Sequence, residues 1–418
     1  MQIYGKNNNF AASNYNVGKM MLEISEIFNA SAVLKDVARK TAIIPAPRLN
    51  PGVDIYLKTE NLQLTGSFKL RGAYYKISQL TEEERKRGVI ACSAGNHAQG
   101  VALGAAHCGI KSLICLPAGA PLSKVEATRS YGAEICLVPG VYDDAYARAI
   151  ELQKEHGYTF IHPFDDPKVI AGQGTIGLEI LEQMPDVEAV IVPIGGGGLI
   201  SGVAFAIKTL RPDVKVYGVQ SSGAPSMAAS LKEGKLCHLA DVATIADGIA
   251  VKEPGVNTFE MCNKYVDEVV TVSDDETAAA ILALMEQQKL IAEGAGAVAV
   301  AAAMFDKVPV RGLKTVCLVS GGNIDVTTLN RVITRGLNKS GRNYAFIIDL
   351  PDKPGQLSGV CSVIAGHGGN IISVAHERIN TSSSINGCSI RVELETRDHE
   401  HISAIRSALT EGGYNVMN

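Results

Sequence analysis

"VIVPIGGGGLISGVAFAIKTL", residues 190–210, decides the fold. It runs from a continuously apolar strand, through the four glycines Gly195, Gly196, Gly197 and Gly198, into an apolar helix beginning near Leu199. A strand apolar on both faces is buried on both faces, as in parallel sheets layered with helices. A flexible linker does not sit between a core strand and a core helix. Glycines there let successive backbone N–H groups converge at the positive end of the helix, and that arrangement binds a phosphate. No lysine follows directly, as a P-loop needs. No acidic residue stands about twenty positions on, as a dinucleotide motif needs. The phosphate therefore belongs to another kind of cofactor.

The same alternation extends in both directions. "DIYLKTE" (54–60), "GVIACSA" (88–94), "SLICLPA" (112–118), "AEICLVP" (133–139), "VKVYGVQ" (214–220) and "KTVCLVSGG" (314–322) also read as buried strands separated by helices. Together these strands predict an α/β catalytic unit of two lobes with mostly parallel sheets, over residues 22–336. Residues 1–21 are polar and Asn-rich and read as a loose leader. "RGLNKSGRN" (335–343) is short, basic and glycine-containing, which predicts a linker over 337–343. Residues 344–418 then follow a β-α-β-β-α-β order, with "TSSSING" (381–387) as a turn, and predict a ferredoxin-like α+β domain.

Composition bounds the function. The 418 residues are 46% hydrophobic and 20% charged, ordinary for a globular protein. A net charge of −4 argues against a nucleic-acid partner. The longest apolar run, "AGAVAVAAAMF" (295–305), is too short to span a membrane and reads as a buried helix. The nine cysteines are scattered, without a CxxC pair, and predict reduced thiols in the cytoplasm.

Three further stretches carry chemistry. "TGSFKLRGA" (65–73) puts Lys69, beside Phe68, at the start of a helix, although lysine ordinarily keeps its ammonium in water. "CSAGNHAQGVALGAAHCGI" (92–110) ends a strand and opens a helix through Ser93, Ala94, Gly95, Asn96 and His97. Ser93 or Asn96 there is either a helix cap or part of an anion site, and His97 is either structural or functional. "VCLVSGGN" (316–323) delivers Ser320 to a Gly-Gly turn. A desolvated lysine, a phosphate cradle and polar strand ends together match the needs of pyridoxal 5'-phosphate. The lysine binds the aldehyde covalently, and desolvation frees its amine near neutral pH.

"KTENLQLTGSFKLRGA" (58–73), "ACSAGNHAQGVA" (91–102), "FDDPKVIAGQGTIGLEI" (164–180) and "PIGGGGLISG" (193–202) resemble, as a set, the tryptophan-synthase-like (fold type II) pyridoxal-phosphate enzymes, and within them the threonine dehydratases. The resemblance spans about residues 30–336. It implies deamination of L-threonine to 2-oxobutanoate, with L-serine giving pyruvate, and a place in isoleucine biosynthesis. It implies that Lys69 is the catalytic residue and carries the cofactor, beside Phe68. Asn96 would meet the ring oxygen, Gly195, Gly196, Gly197, Gly198 and Leu199 the phosphate, and Ser320 the pyridine nitrogen. Ser93, Gly95, Asn96 and His97 would grip the substrate carboxylate. Serine racemases of the family carry a second serine where this chain has Ala94, which has no proton to give. Some relatives begin a divalent-metal site at the position of Gln220, and no metal is assigned here. "DLPDKPGQLSGVCSVIAGHGGNI" (349–371) resembles an ACT regulatory domain. That implies a branched-chain amino-acid effector at Gly355, Gln356, Leu357, Asn370 and Ile371, and a homo-oligomer, dimer or tetramer. The alternatives are an L-serine dehydratase, a serine racemase-like enzyme, or an inactive amino-acid-sensing regulator.

Overall fold

The computed structural model describes residues 22–378 and 386–417. The leader over 1–21 and most of the turn over 381–387 lie outside the described residues. Three sheets organise the chain. The largest runs in the order Ile43–Pro45, Asp54–Lys58, Lys314–Leu318, Ala189–Pro193, Lys215–Ser221, Glu268–Val272. All of its pairings are parallel except the first. A second, wholly parallel sheet runs Glu134–Val138, Ser112–Pro117, Val89–Cys92, Thr159–Phe160. The seven strands expected from apolar runs are all present, but Glu134–Val138 is not buried as expected: it lies at the edge of its sheet, and Glu134 and Leu137 are exposed. Ile43–Pro45, Thr159–Phe160 and Glu268–Val272 were not expected, and each is short or only partly buried. Such strands lack the continuous apolar signal.

The chain crosses between the two lobes twice. Asp54–Lys58 belongs to the large sheet, pairing with Lys314–Leu318 some 260 positions later. Between them the chain leaves to build the small lobe and returns at Ala189. The alanine-rich run is helix Gly294–Met304, buried from Gly294 through Ala303 against the large sheet. The helix that opens at Lys69, Lys69–Ser78, is gripped closely from two sides. A Cβ at Gly172, on helix Pro167–Gln183, would lie 2.6 Å from Gly72 Cα, and one at Gly100, on helix Asn96–His107, would lie 3.0 Å from the carbonyl carbon of Lys69. Backbone atoms cannot yield as a flexible side chain can, so this spacing holds only with glycine at both positions.

The C-terminal residues form an antiparallel sheet in the order Asn370–Glu377, Gly387–Glu395, Asn343–Pro351, Asn415–Met417, with helices Gln356–Gly366 and His399–Glu411. This is the ferredoxin-like strand order. The expected linker over 337–343 needs correction. Helix Val326–Lys339 takes up its first three residues and strand Asn343–Pro351 its last, so only Ser340–Arg342 separate the two elements. Asp325 accepts from the N–H groups of Thr327 and Thr328 at the helix start, and Arg335 and Lys339 both pair with Asp275. Gly336 does not break the helix. It sits where Leu282 packs, with Leu282 Cδ2 2.7 Å from the place of a Cβ.

Candidate active site

Four of the motif segments end at the carboxyl ends of parallel strands. Ser93 follows Val89–Cys92, Gly195 follows Ala189–Pro193, Ser320 follows Lys314–Leu318, and the loop to Lys69 follows Asp54–Lys58. Open α/β sheets gather ligand-binding residues at that end. Ser67 bridges to Gly321, and Phe68 N donates to Ser320 O at 3.2 Å, so the Lys69 and Ser320 segments are stitched together. Lys69 is partly buried. Its Nζ donates to Pro163 O at 2.8 Å and lies 5.3 Å from the Phe68 ring centre. Burial lowers its pKa to about 8, with the Glu293 carboxyl partly opposing the shift.

The two loops expected to bind anions present unused donors. Among the described residues, the N–H groups of Gly195, Gly196, Gly197, Gly198 and Leu199 donate to nothing in the protein. Gly197 adopts a left-handed backbone, φ +99°, just before helix Gly198–Leu210. Side chains there would collide: a Cβ at Gly196 would meet the Phe164 ring at 2.4 Å, and one at Gly197 would meet Thr258 at 2.7 Å. Five unused donors at and before a helix N-terminus fit a phosphate. At the second loop, Gly95 N donates to Ser93 Oγ at 3.2 Å, and the N–H groups of Ala94, Asn96 and His97 are free of protein acceptors. The His97 side chain is turned elsewhere. Its Nε2 lies 2.8 Å from Ile161 O, and burial, with Lys69 nearby, drives its pKa down to about 3. Ser320 Oγ donates to Ala295 O at 3.2 Å.

Two residues that the sequence reading missed join this site. Asn96 Nδ2 lies 2.5 Å from Glu293 Oε1, and Asn96 Oδ1 accepts from Asn323 Nδ2 at 2.7 Å. Burial, and Asp247 beside it, raise the Glu293 pKa to about 7. A charged residue opening an otherwise apolar helix, "EGAGAVAVAAAM" (293–304), was the available signal. A third feature also escaped notice. Arg71, two residues after Lys69, is buried between Glu60 and Glu179 at 2.8 and 2.6 Å, and Lys58 meets Glu179 at 2.5 Å.

The expected effector residues lie apart, in the C-terminal module. Gly355 (φ +92°) precedes helix Gln356–Gly366, Leu357 is exposed, Asn370 Nδ2 donates to Glu395 Oε2 at 3.1 Å, and Ile371 packs on the module core. Gln220 is wholly buried, with Oε1 accepting from Ala228 N at 2.8 Å.

The family described as "Pyridoxal-phosphate dependent enzyme" matches residues 34–322. The L-threonine ammonia-lyase of Thermotoga maritima is 52% identical over 95% of this chain and 99% of its own. Among solved structures, the processed form of threonine deaminase isoform 2 from Solanum lycopersicum matches with a TM-score of 0.70 at 40% identity, over 75% of this chain and 94% of that one. Maize serine racemase matches with a TM-score of 0.72 at 34% identity, over 77% of this chain and 99% of that one.

Proposed function

The chain belongs to the pyridoxal-phosphate dependent enzymes, and on that premise we propose that it deaminates L-threonine to 2-oxobutanoate and ammonia. The observation that carries the reading is the partly buried Lys69, hydrogen-bonded to Pro163 beside the Phe164 that packs on Gly196 and Gly198, together with two loops of unused N–H donors at the strand ends. The likeness to threonine ammonia-lyases over nearly the whole chain supports threonine as the substrate. When bound, the cofactor supplies an aromatic ring that takes up the electron pair left at Cα.

Each residue then has a task. Lys69 holds the cofactor, and its amine takes the Cα proton as general base. The free N–H groups of Ala94, Asn96 and His97 orient the substrate carboxylate. Gly195 through Leu199 hold the phosphate. Ser320, a neutral hydroxyl, faces the pyridine nitrogen without delivering a full positive charge. That favours loss of the β-hydroxyl over a long-lived carbanion. Serine lacks one methyl group of threonine, worth only about 1–3 kcal/mol of discrimination, so it is deaminated as well. The likeness to a serine racemase favours a second reading, but Ala94 offers no proton opposite Lys69.

Control and assembly complete the proposal. The C-terminal module, read as an ACT domain over residues 344–418, binds a branched-chain amino acid, isoleucine above all, at Gly355, Gln356, Leu357, Asn370 and Ile371. The helix start after Gly355 supplies N–H groups for its carboxylate. The chain assembles as a dimer or tetramer. In support, Asn370–Glu377 is an edge strand that exposes Ile372 and Val374. Nine free cysteines support a cytoplasmic setting, and no helix among the described residues is long and apolar enough to cross a membrane. The test is the rate of 2-oxo acid release from threonine and from serine, with and without isoleucine. A cofactor-loaded protein that makes no 2-oxobutanoate would overturn the reading.

A further inference from the structure

The orientation of one amide in the site follows from an anchor that has no freedom. Thr65 O is a backbone carbonyl and can only accept. The Asn323 side-chain atom 2.7 Å from it is therefore the nitrogen, Nδ2. The same nitrogen lies 2.7 Å from Asn96 Oδ1, which must then be the carbonyl oxygen. Asn96 is left with its nitrogen facing Glu293 Oε1 at 2.5 Å. Asn323 thus donates both to the loop that carries Lys69 and to Asn96, and Asn96 donates on to a carboxyl only 4% exposed. A Cβ at Gly321 would lie 2.4 Å from Glu293 Oε1, so the turn after Ser320 leaves just enough room for this carboxyl.

The arithmetic of Asn96 has a consequence. Its Oδ1 accepts from Asn323, and one Nδ2 hydrogen goes to Glu293. One N–H remains without a protein acceptor, so Asn96 has a donor to spare for a ligand. We propose that Glu293 is a positioning residue for the cofactor: acting through Asn96, it holds that amide as a donor to the ring oxygen, and its own proton changes the field the ring meets. The proposal rests on the reading that Asn96 faces the ring oxygen.

Three charged groups face Glu293: Lys69, Asp247 and Lys124. Burial and Asp247 raise its pKa to about 7, against the opposing pull of Asn96, Lys124 and Lys69. Lys124 and Asp247 are themselves paired at 2.8 Å. Glu293, Asp247, Lys124 and Asn323 line one cavity of about 540 Å³.

The test follows the absorption spectrum of the bound cofactor in the full-length holoenzyme from pH 5.5 to 9. The wild-type spectrum should change in a step above the usual carboxylate range, where burial and Asp247 hold the Glu293 carboxyl. Glu293→Gln, which cannot titrate, should bind cofactor and lose the step. Glu293→Asp should restore a step at a displaced midpoint. Asp247→Asn should lower the midpoint by removing a like charge, and Lys124→Met should raise it by removing an opposite one. A merely structural Glu293 would leave no such step to move. Retention of the step in a cofactor-loaded Glu293→Gln protein would overturn the proposal alone. A bound-cofactor spectrum indifferent to Asn96→Ala would overturn the placement of Asn96, and the proposal with it.

Discussion

Lys69 in water would be almost wholly an ammonium at neutral pH, since an ordinary lysine titrates near 10.5. Burial brings it to about 8, with Glu293 opposing, so roughly one amine in ten is free at pH 7. The ammonium has no lone pair to attack an aldehyde. The rate at which cofactor-free protein captures pyridoxal phosphate should therefore rise with pH and level off above about 8. Stopped-flow absorbance measures this, and Lys69→Ala should show no covalent capture at any pH. A flat profile for the wild type would mean that the amine is not the titrating group. Ala94 carries a second prediction. It stands on the loop of unused N–H donors, with open space beside Gly95. Ala94→Ser should add slow racemisation of serine to elimination. Chiral analysis of the serine left after partial reaction is the check, and abundant D-serine from the wild type would defeat the argument.

At the scale of elements, the helix that opens at Lys69 is tied down by charge as well as by close packing. Arg71 spans Glu60 and Glu179. Burial alone would push Glu60 upward, yet Arg71 and Lys58 overcome this and hold its pKa below the usual carboxylate value. Removing Arg71 leaves the fully buried Glu60 without its ion-pair partner, while Glu179 keeps only Lys58. Arg71→Met should cost about 3–5 kcal/mol, read from the midpoint of chemical denaturation, and should weaken cofactor retention. Lysine there restores only part of the loss, because it cannot reproduce the planar fork that meets both carboxylates. A change below about 1 kcal/mol would show that the network is dispensable. Helix Val326–Lys339 teaches a related lesson. Its glycine and basic residues read as a linker, yet packing on Leu282 and pairing with Asp275 made them helical. Local composition cannot anticipate a neighbour supplied by another part of the chain.

For the whole molecule, regulation from the C-terminal module requires two conformations that bind effector and substrate differently. Isoleucine should then weaken the apparent affinity for threonine, and threonine that for isoleucine. Asn370→Ala should reduce isoleucine binding in calorimetry of the full-length protein while leaving turnover without effector close to wild type. No heat of binding with isoleucine, valine or leucine would reduce the module to an assembly role.

The sequence by itself determined the layered α/β class, the strands written as apolar runs and the motif residues, because each is written in neighbouring positions: an apolar run, a row of glycines, a lysine at a helix start. It did not determine that Glu134–Val138 would sit exposed at a sheet edge. The tertiary structure alone decided that Asp54–Lys58 joins the large sheet, since that pairing is made with strand Lys314–Leu318 from the far end of the catalytic unit. It alone brought Glu293 and Asn323 to Asn96, across 197 and 227 positions. A single carboxyl or amide has no periodicity or spacing to betray it. Its partner, its burial and hence its proton affinity exist only once the strand ends converge.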